Sequence, residues 1–189
     1  MRYSYDKFVR QYSNNFIPVF IEKEDYYKIE DFVRRLVPVK KRENHHKNDF
    51  EQEYKRHMTG YLGEFAVGKV LGMDIIDWSI GNSNDYNIPD IRNYKVGIKT
   101  VEKGKFPVIF KNNTYPQIFC IKDNLHWQLL YVCGIAPPSI LNKYQDDDLI
   151  LSKQLRERGT KTGFYGFQYL RPFRNKYQLE SILDSFGKS

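Results

Sequence analysis

Three charged residues in the middle of the chain stand where the pattern around them is apolar. Lys99 sits inside the strand-like run "KVGIKTV", Asp90 follows Pro89 in "NIPDI", and Glu64 lies within "GYLGEFAVG", a stretch with helical spacing. In a strand, side chains two apart share a face, so Gly97, Lys99 and Val101 point one way and Val96, Ile98 and Thr100 the other. The Ile98 face suits a core, which leaves Lys99 on the opposite one. If a helix covers that side, the ammonium requires an anionic partner: a carboxylate, a metal-bound hydroxide or a phosphate. The other reading is an edge strand with Lys99 in water, where charge blocks unwanted pairing.

The elements that must position these groups can be traced from periodicity. Asp49 is placed to cap a long helix running to about Leu71, with Gly72 as its stop. On that helix Gly60, Leu62, Gly63, Ala66, Val67, Val70 and Leu71 form a small or apolar face, and Glu64 falls at its margin between Gly60 and Gly68. Each glycine inside a helix costs roughly 0.5–1 kcal/mol relative to Ala, which makes sense if the backbone approaches a sheet closely there. Glu64 would then face the sheet; the alternative is that it snorkels to solvent. Upstream, residues 22–36 read as a helix ended by Pro38, followed by a polar loop, "KKRENHHKN". Downstream, "MDIIDW", "YNIPDI", "KVGIKTV", "FPVIF", "QIFCI" and "WQLLYVCGIA" read as strands. "DLILSKQL" is ambiguous between helix and strand, "GFYGFQYLRPF" reads as a late strand and "QLESILDSF" as a terminal helix. The expected class is mixed α/β, a central mixed sheet flanked by helices in one domain. Within it, 1–48 reads as an N-terminal helical appendage, 49–136 as the core, and 137–189 as C-terminal strands and a helix completing the domain.

Charge narrows the class of partner. Thirty Lys and Arg against twenty-three Asp and Glu give a net charge of +7, which biases the chain towards polyanions. The bases concentrate in "RRLVPVKKR", around the Lys99 strand (Arg92, Lys95, Lys103, Lys105, Lys111) and in "KQLRERGTK". Cys120 and Cys133 lie in apolar runs without metal or redox spacing, and His45 and His46 lie in a basic loop without the spacing of a metal motif. No apolar run reaches the length of a membrane span, and "MRYSYDKFVRQYS" has no apolar signal region, so the expected location is intracellular, in the cytoplasm, with no membrane partner.

Taken together, "GYLGE" (60–64), "PD" (89–90) and "GIK" (97–99) resemble the PD-(D/E)XK nuclease superfamily, the restriction-endonuclease-like fold, over roughly residues 50–136. In that superfamily a helix presents a Glu, a first strand carries the catalytic Asp, and a second strand carries an acid-x-Lys tripeptide. The resemblance implies a metal-dependent nuclease in which Glu64, Asp90 and Lys99 are catalytic. It implies Mg²⁺ or Mn²⁺ held by Glu64, Asp90 and the main-chain carbonyl of Ile98, with Lys99 positioning or deprotonating the attacking water. Asp85 is the reserve ligand, although an Asp after "GNSN" also reads as a turn cap. The chain departs from the pattern at Gly97, where the superfamily usually has an acid; Glu64, moved to the helix, is the expected substitute, with Gly97 leaving room for its side chain.

The resemblance further implies DNA as substrate and a setting in phages or in bacterial defence or recombination. Candidate nucleic-acid contacts are Arg56 and His57 on the Glu64 helix, Arg92, Lys103 and Lys105 around the Lys99 strand, and Lys161 in "TKTGFYGFQYLRPF". That last segment is suited to stacking on unpaired bases, or, for Phe164 and Phe167, to strand core. A homodimer is expected only if both strands are cut at symmetric sites. The missing acid keeps a second class open, a catalytically inactive nucleic-acid-binding or interaction protein on the same fold.

Overall fold

The computed structural model describes residues 3–43, 49–80 and 89–187. The chain begins with a short helix, α1 (Tyr5–Phe8), and a strand, β1 (Ile17–Phe20), then forms two long helices, α2 (Lys23–Glu43) and α3 (Phe50–Leu71). Four strands follow: β2 (Gly97–Glu102), β3 (Val108–Phe110), β4 (Gln117–Lys122) and β5 (Leu129–Ala136). The remainder is α4 (Pro138–Lys143), β6 (Gln145–Asp146), α5 (Lys153–Glu157), β7 (Lys161–Phe164) and α6 (Lys176–Phe186). The fold is mixed α/β, as expected. A four-stranded mixed sheet has the order β1-β5-β4-β2, with β2 parallel to β4 and the other pairs antiparallel, and a smaller sheet has the order β3-β7-β6.

The sheet has different covers on its two faces. Leu62, Ala66 and Val67 of α3 pack with Ile98, Ile118, Cys120 and Val132 on one face, in the larger core cluster. On the other, Phe119, Ile121 and Cys133 meet Ile109, Phe164 and Phe167 of the second-sheet layer, and the rings of Phe119 and Phe164 stack with centroids 4.6 Å apart. The buried stripe of α2, Ile29, Phe32, Val33 and Leu36, has the helical spacing that its sequence announces and packs on α3, where the Phe32 ring meets Tyr61 edge-on. α3 starts after Asp49, whose backbone is extended at the cap position though its side chain makes no capping bond, and ends at Gly72 with φ 66°. That left-handed residue lets the Met73 N–H reach the Gly68 carbonyl at 3.0 Å, closing the helix end.

Four expectations are corrected. Residues 17–20, inside the stretch read as a helical appendage, form a strand paired with β5 at the sheet edge; Pro18 is tolerated there because an edge strand has a free side. Pro38 does not end α2, which runs through it to Glu43, carried by the buried Leu36 and Val37. "MDIIDW" is not a strand: the Asp74 carboxylate accepts the Ile76 N–H and Asp77 that of Ser79, local turns that compete with a ladder. Gly60 makes no close approach, since a Cβ there would meet nothing within 4 Å, and Gly68 faces the Met73 carbonyl rather than the sheet. The glycine that lets helix and sheet meet is Gly63.

No helix among the described residues is long and apolar enough to cross a membrane.

Candidate functional site

Asp90 is placed by a tight reversal of the chain. Ile91 and Val96 exchange backbone hydrogen bonds (2.9 and 3.3 Å) around the turn Arg92–Tyr94, which Lys95 closes at φ 52°. Asp90, one residue before this bridge, therefore comes beside the start of β2, and its Oδ2 accepts the Ile98 N–H at 2.5 Å. The Gly97 N–H goes the other way, to the Pro116 carbonyl at 3.0 Å. Strand alternation then turns both the N–H and the C=O of Ile98 towards the free edge of β2. The Ile98 carbonyl and the Asp90 carboxylate thus share one edge.

Glu64 arrives from the helix side. A Cβ on Gly63 would fall 1.7 Å from Thr100 Oγ1, so the missing side chain is what seats α3 directly on β2. Glu64, the next residue, is carried to the rim of that contact, where it is half-buried beside Tyr61 and Asp90 in a cleft of about 350 Å³. Asp74, Asp77 and Arg92 line the same cleft.

Lys99 arrives from the opposite side, which corrects the expectation that α3 covers it. The helix lies on the Ile98 and Thr100 face; Lys99 is register neighbour to Phe119, whose face carries the second sheet. Because β2 is the edge strand, groups from both faces can still meet around its margin. Lys99 lies within electrostatic reach of both carboxylates.

The electrostatics follow from this crowding. Burial, reinforced by the Asp90 charge and opposed by Lys99, pushes the Glu64 carboxyl up to about 8. Burial also raises Asp90, although the residue is open at the cleft mouth, while the Ile98 N–H and Lys99 act the other way. Tyr61 is raised by burial and by Glu64, Asp77 and Asp90, and Tyr115 by burial and Asp90. Two carboxylates that repel each other, with a backbone carbonyl on the same edge, form an all-oxygen donor set. Such a set suits a hard divalent cation that keeps part of its water shell. Among the described residues no group of three or more His, Cys, Asp or Glu side chains is gathered around a metal position. Asp85, the reserve ligand, lies outside the described residues, as do His45 and His46.

The space at Gly97 has a different occupant from the one expected. A Cβ there would lie 3.1 Å from Tyr115 Cε2, 3.6 Å from Gln117 Cγ and 3.7 Å from Asp90 Oδ2. Position 97 does face the Asp90 carboxylate, but the edge of the Tyr115 ring lies tight against it, and Glu64 approaches from the other face. Tyr115 had no periodic signal in "NNTYPQ"; only the parallel register, Gly97 opposite Gln117, brings it here. Tyr61 was legible in principle, three residues before Glu64 on one helix.

The expected nucleic-acid contacts divide into distinct groups. Lys103 is bound to the buried Asp123 at 2.8 Å and Lys105 to Glu102 at 2.6 Å, while Arg92 lies 3.6 Å from Asp77. His57 is half-buried against Glu53 (3.7 Å), its ring stacked on Tyr61. Arg56 pairs with Glu53 at 2.6 Å and, with Lys99, lies within electrostatic reach of Lys161. Comparison of the chain with protein-family models, with curated proteins and with solved structures returned no match.

Proposed function

We propose that the protein is a metal-dependent nuclease that hydrolyses phosphodiester bonds in DNA. The observation that carries this reading is the convergence of Glu64, Asp90 and Lys99, from a helix, a hairpin and a strand, on the free edge of β2. Hydrolysis adds a water oxygen to phosphorus and breaks the bond to the leaving oxygen, which takes up a proton; negative charge builds on the phosphoryl oxygens meanwhile. Glu64, Asp90 and the Ile98 carbonyl would hold Mg²⁺ or Mn²⁺, which when bound supplies positive charge to the phosphoryl group and acidifies water. The Ile98 N–H fixes which way the Asp90 carboxylate faces, and burial keeps Glu64 from being solvated on its own. Lys99, on the opposite margin, orients the attacking water or offsets charge on the phosphate.

Incubation with plasmid and with single-stranded DNA, with and without Mg²⁺ or Mn²⁺, tests the reading. Metal-dependent cleavage that disappears in Asp90→Ala and Lys99→Ala supports it. The absence of such cleavage on any DNA or RNA favours the second reading, a non-catalytic nucleic-acid-binding protein. That reading draws on one observation, the missing acid at Gly97, where the edge of the Tyr115 ring lies 3.1 Å from the place a Cβ would take.

A further inference from the structure

The second sheet carries a lysine whose surroundings ask for an anion. Lys161 opens β7, paired with Phe110, and is half-buried with its Nζ 5.3 Å above the Phe110 ring. The same strand ends at Phe164, stacked on Phe119, which is the register neighbour of Lys99. β7 therefore lies over the Lys99 side of the central sheet, and Lys161 shares electrostatic reach with Lys99, Arg56 and Arg158. Burial and these three cations lower its affinity for a proton. Among the described residues neither Lys99, Lys161 nor Arg158 forms a close ion pair, and the one carboxylate bound to Arg56 is Glu53. The neighbouring Lys111 shows the contrast, since it is neutralised by Asp147 at 2.6 Å. Assembling three cations around a half-buried lysine is unfavourable in the empty protein and favourable once an anion enters.

We propose that Lys161, with Arg56 and Arg158, forms a second phosphate seat, holding a backbone phosphate next to the one attacked beside Lys99. The seat rests on the nuclease reading for its purpose but not for its existence, because it binds phosphate without cutting. It makes the preferred substrate a polynucleotide, with charge on both sides of the scissile bond, rather than a simple phosphodiester. Lys161 is here a binding residue, not one that touches the reacting atoms.

The test uses the full chain carrying Asp90→Ala and fluorescein-labelled oligonucleotides, duplex and single-stranded, titrated by anisotropy across a salt series. Adding Lys161→Ala is expected to weaken binding about five- to tenfold and to reduce the salt slope by about one phosphate's worth. Lys161→Arg restores most of the affinity, and Lys105→Ala, whose ammonium is already paired with Glu102, changes little. Arg158→Ala supplies an independent surface variant, expected to weaken binding in the same direction. With Asp90 intact, Lys161→Ala is expected to raise KM on DNA more than it lowers kcat. Equal affinity and equal salt slope with and without Lys161, or no oligonucleotide binding by the parent chain, overturns the seat. Metal-dependent cleavage that ignores Lys161 overturns the seat alone. Binding that needs Lys161, in a protein that cuts nothing, overturns the nuclease reading alone.

Discussion

Lys99 and Lys103 lie four residues apart on β2 and its extension, and the protein treats them in opposite ways. Lys103 ends on Asp123, a carboxylate that also accepts the N–H groups of Leu125 and His126 and so ties down the turn between β4 and β5. Lys105 beyond it is held by Glu102. Lys99 has no such close partner among the described residues; its carboxylates, Glu64 and Asp90, stand off around the strand margin and repel each other. One end of the strand has its charge answered within the fold, and the other leaves cations and anions side by side but unsatisfied. A basic sequence therefore says little about binding until its internal partners are subtracted. Of the six bases expected to touch nucleic acid, Lys161 joins the unanswered end, Lys103 and Lys105 belong to the answered one, and Arg56 lies near Lys161 with its charge already shared with Glu53.

The largest expected effect separates the two ends directly. Asp90→Ala and Lys99→Ala should each lower metal-dependent cleavage by about 10²–10⁴-fold, while Lys103→Ala and Lys105→Ala leave it within a few-fold, as measured by plasmid nicking. Equal losses at both ends would erase the distinction. Glu64→Gln sharpens it, because a neutral amide escapes the cost of burial that, with the Asp90 charge, raises this carboxyl: cleavage falls comparably, yet the metal-free protein melts at a higher temperature than wild type at neutral pH. The stabilising shift that Mg²⁺ or Mn²⁺ gives the wild type should shrink in the same variant, a measurement independent of activity.

Next in size comes the contact that holds the unanswered end in place. Gly63→Ala drives a methyl into Thr100 and should cost about 2–3 kcal/mol in chemical denaturation, with Thr100→Ser relieving little of it because Oγ1 is the obstructing atom. The smallest effect lies at the answered end and depends on pH. The Lys103 ammonium, with the Leu125 and His126 N–H groups, holds Asp123 down to about 2, against an ordinary carboxylate near 3.9. An acid depressed in the folded state contributes stability that is complete above its unfolded pKa and disappears as pH falls through its folded one. Asp123→Asn should therefore lose about 1–2 kcal/mol at neutral pH, and the gap from wild type should close between about pH 4 and pH 2.

Much of the scaffold was legible because its signals are local. Asp49 and Gly72 bracket α3, and the apolar runs at β2, β3, β4 and β5 fall where strands occur. The failures needed partners distant in sequence. β1 is a strand only because β5 is there to pair with it, and "MDIIDW" fails to be one because Asp74 and Asp77 bond their own backbone. At the site, spacing and resemblance together singled out Glu64, Asp90 and Lys99, which the fold does bring close. Which face each came from was not legible, since alternation fixes that Lys99 opposes Ile98 but not which face α3 chooses. Tyr115 was invisible for the same reason: its place against Gly97 exists only through the parallel β2–β4 register.

The turn between Ile91 and Val96 sets how this protein can change over generations. One extra codon inserted among residues 92–95 lengthens a largely exposed turn whose flanks, Ile91 and Val96, are buried in the larger core. The hairpin, however, loses its pairing, and Asp90 no longer meets the Ile98 N–H. A single added residue here would part Asp90 from the start of β2, the contact on which the proposed chemistry rests.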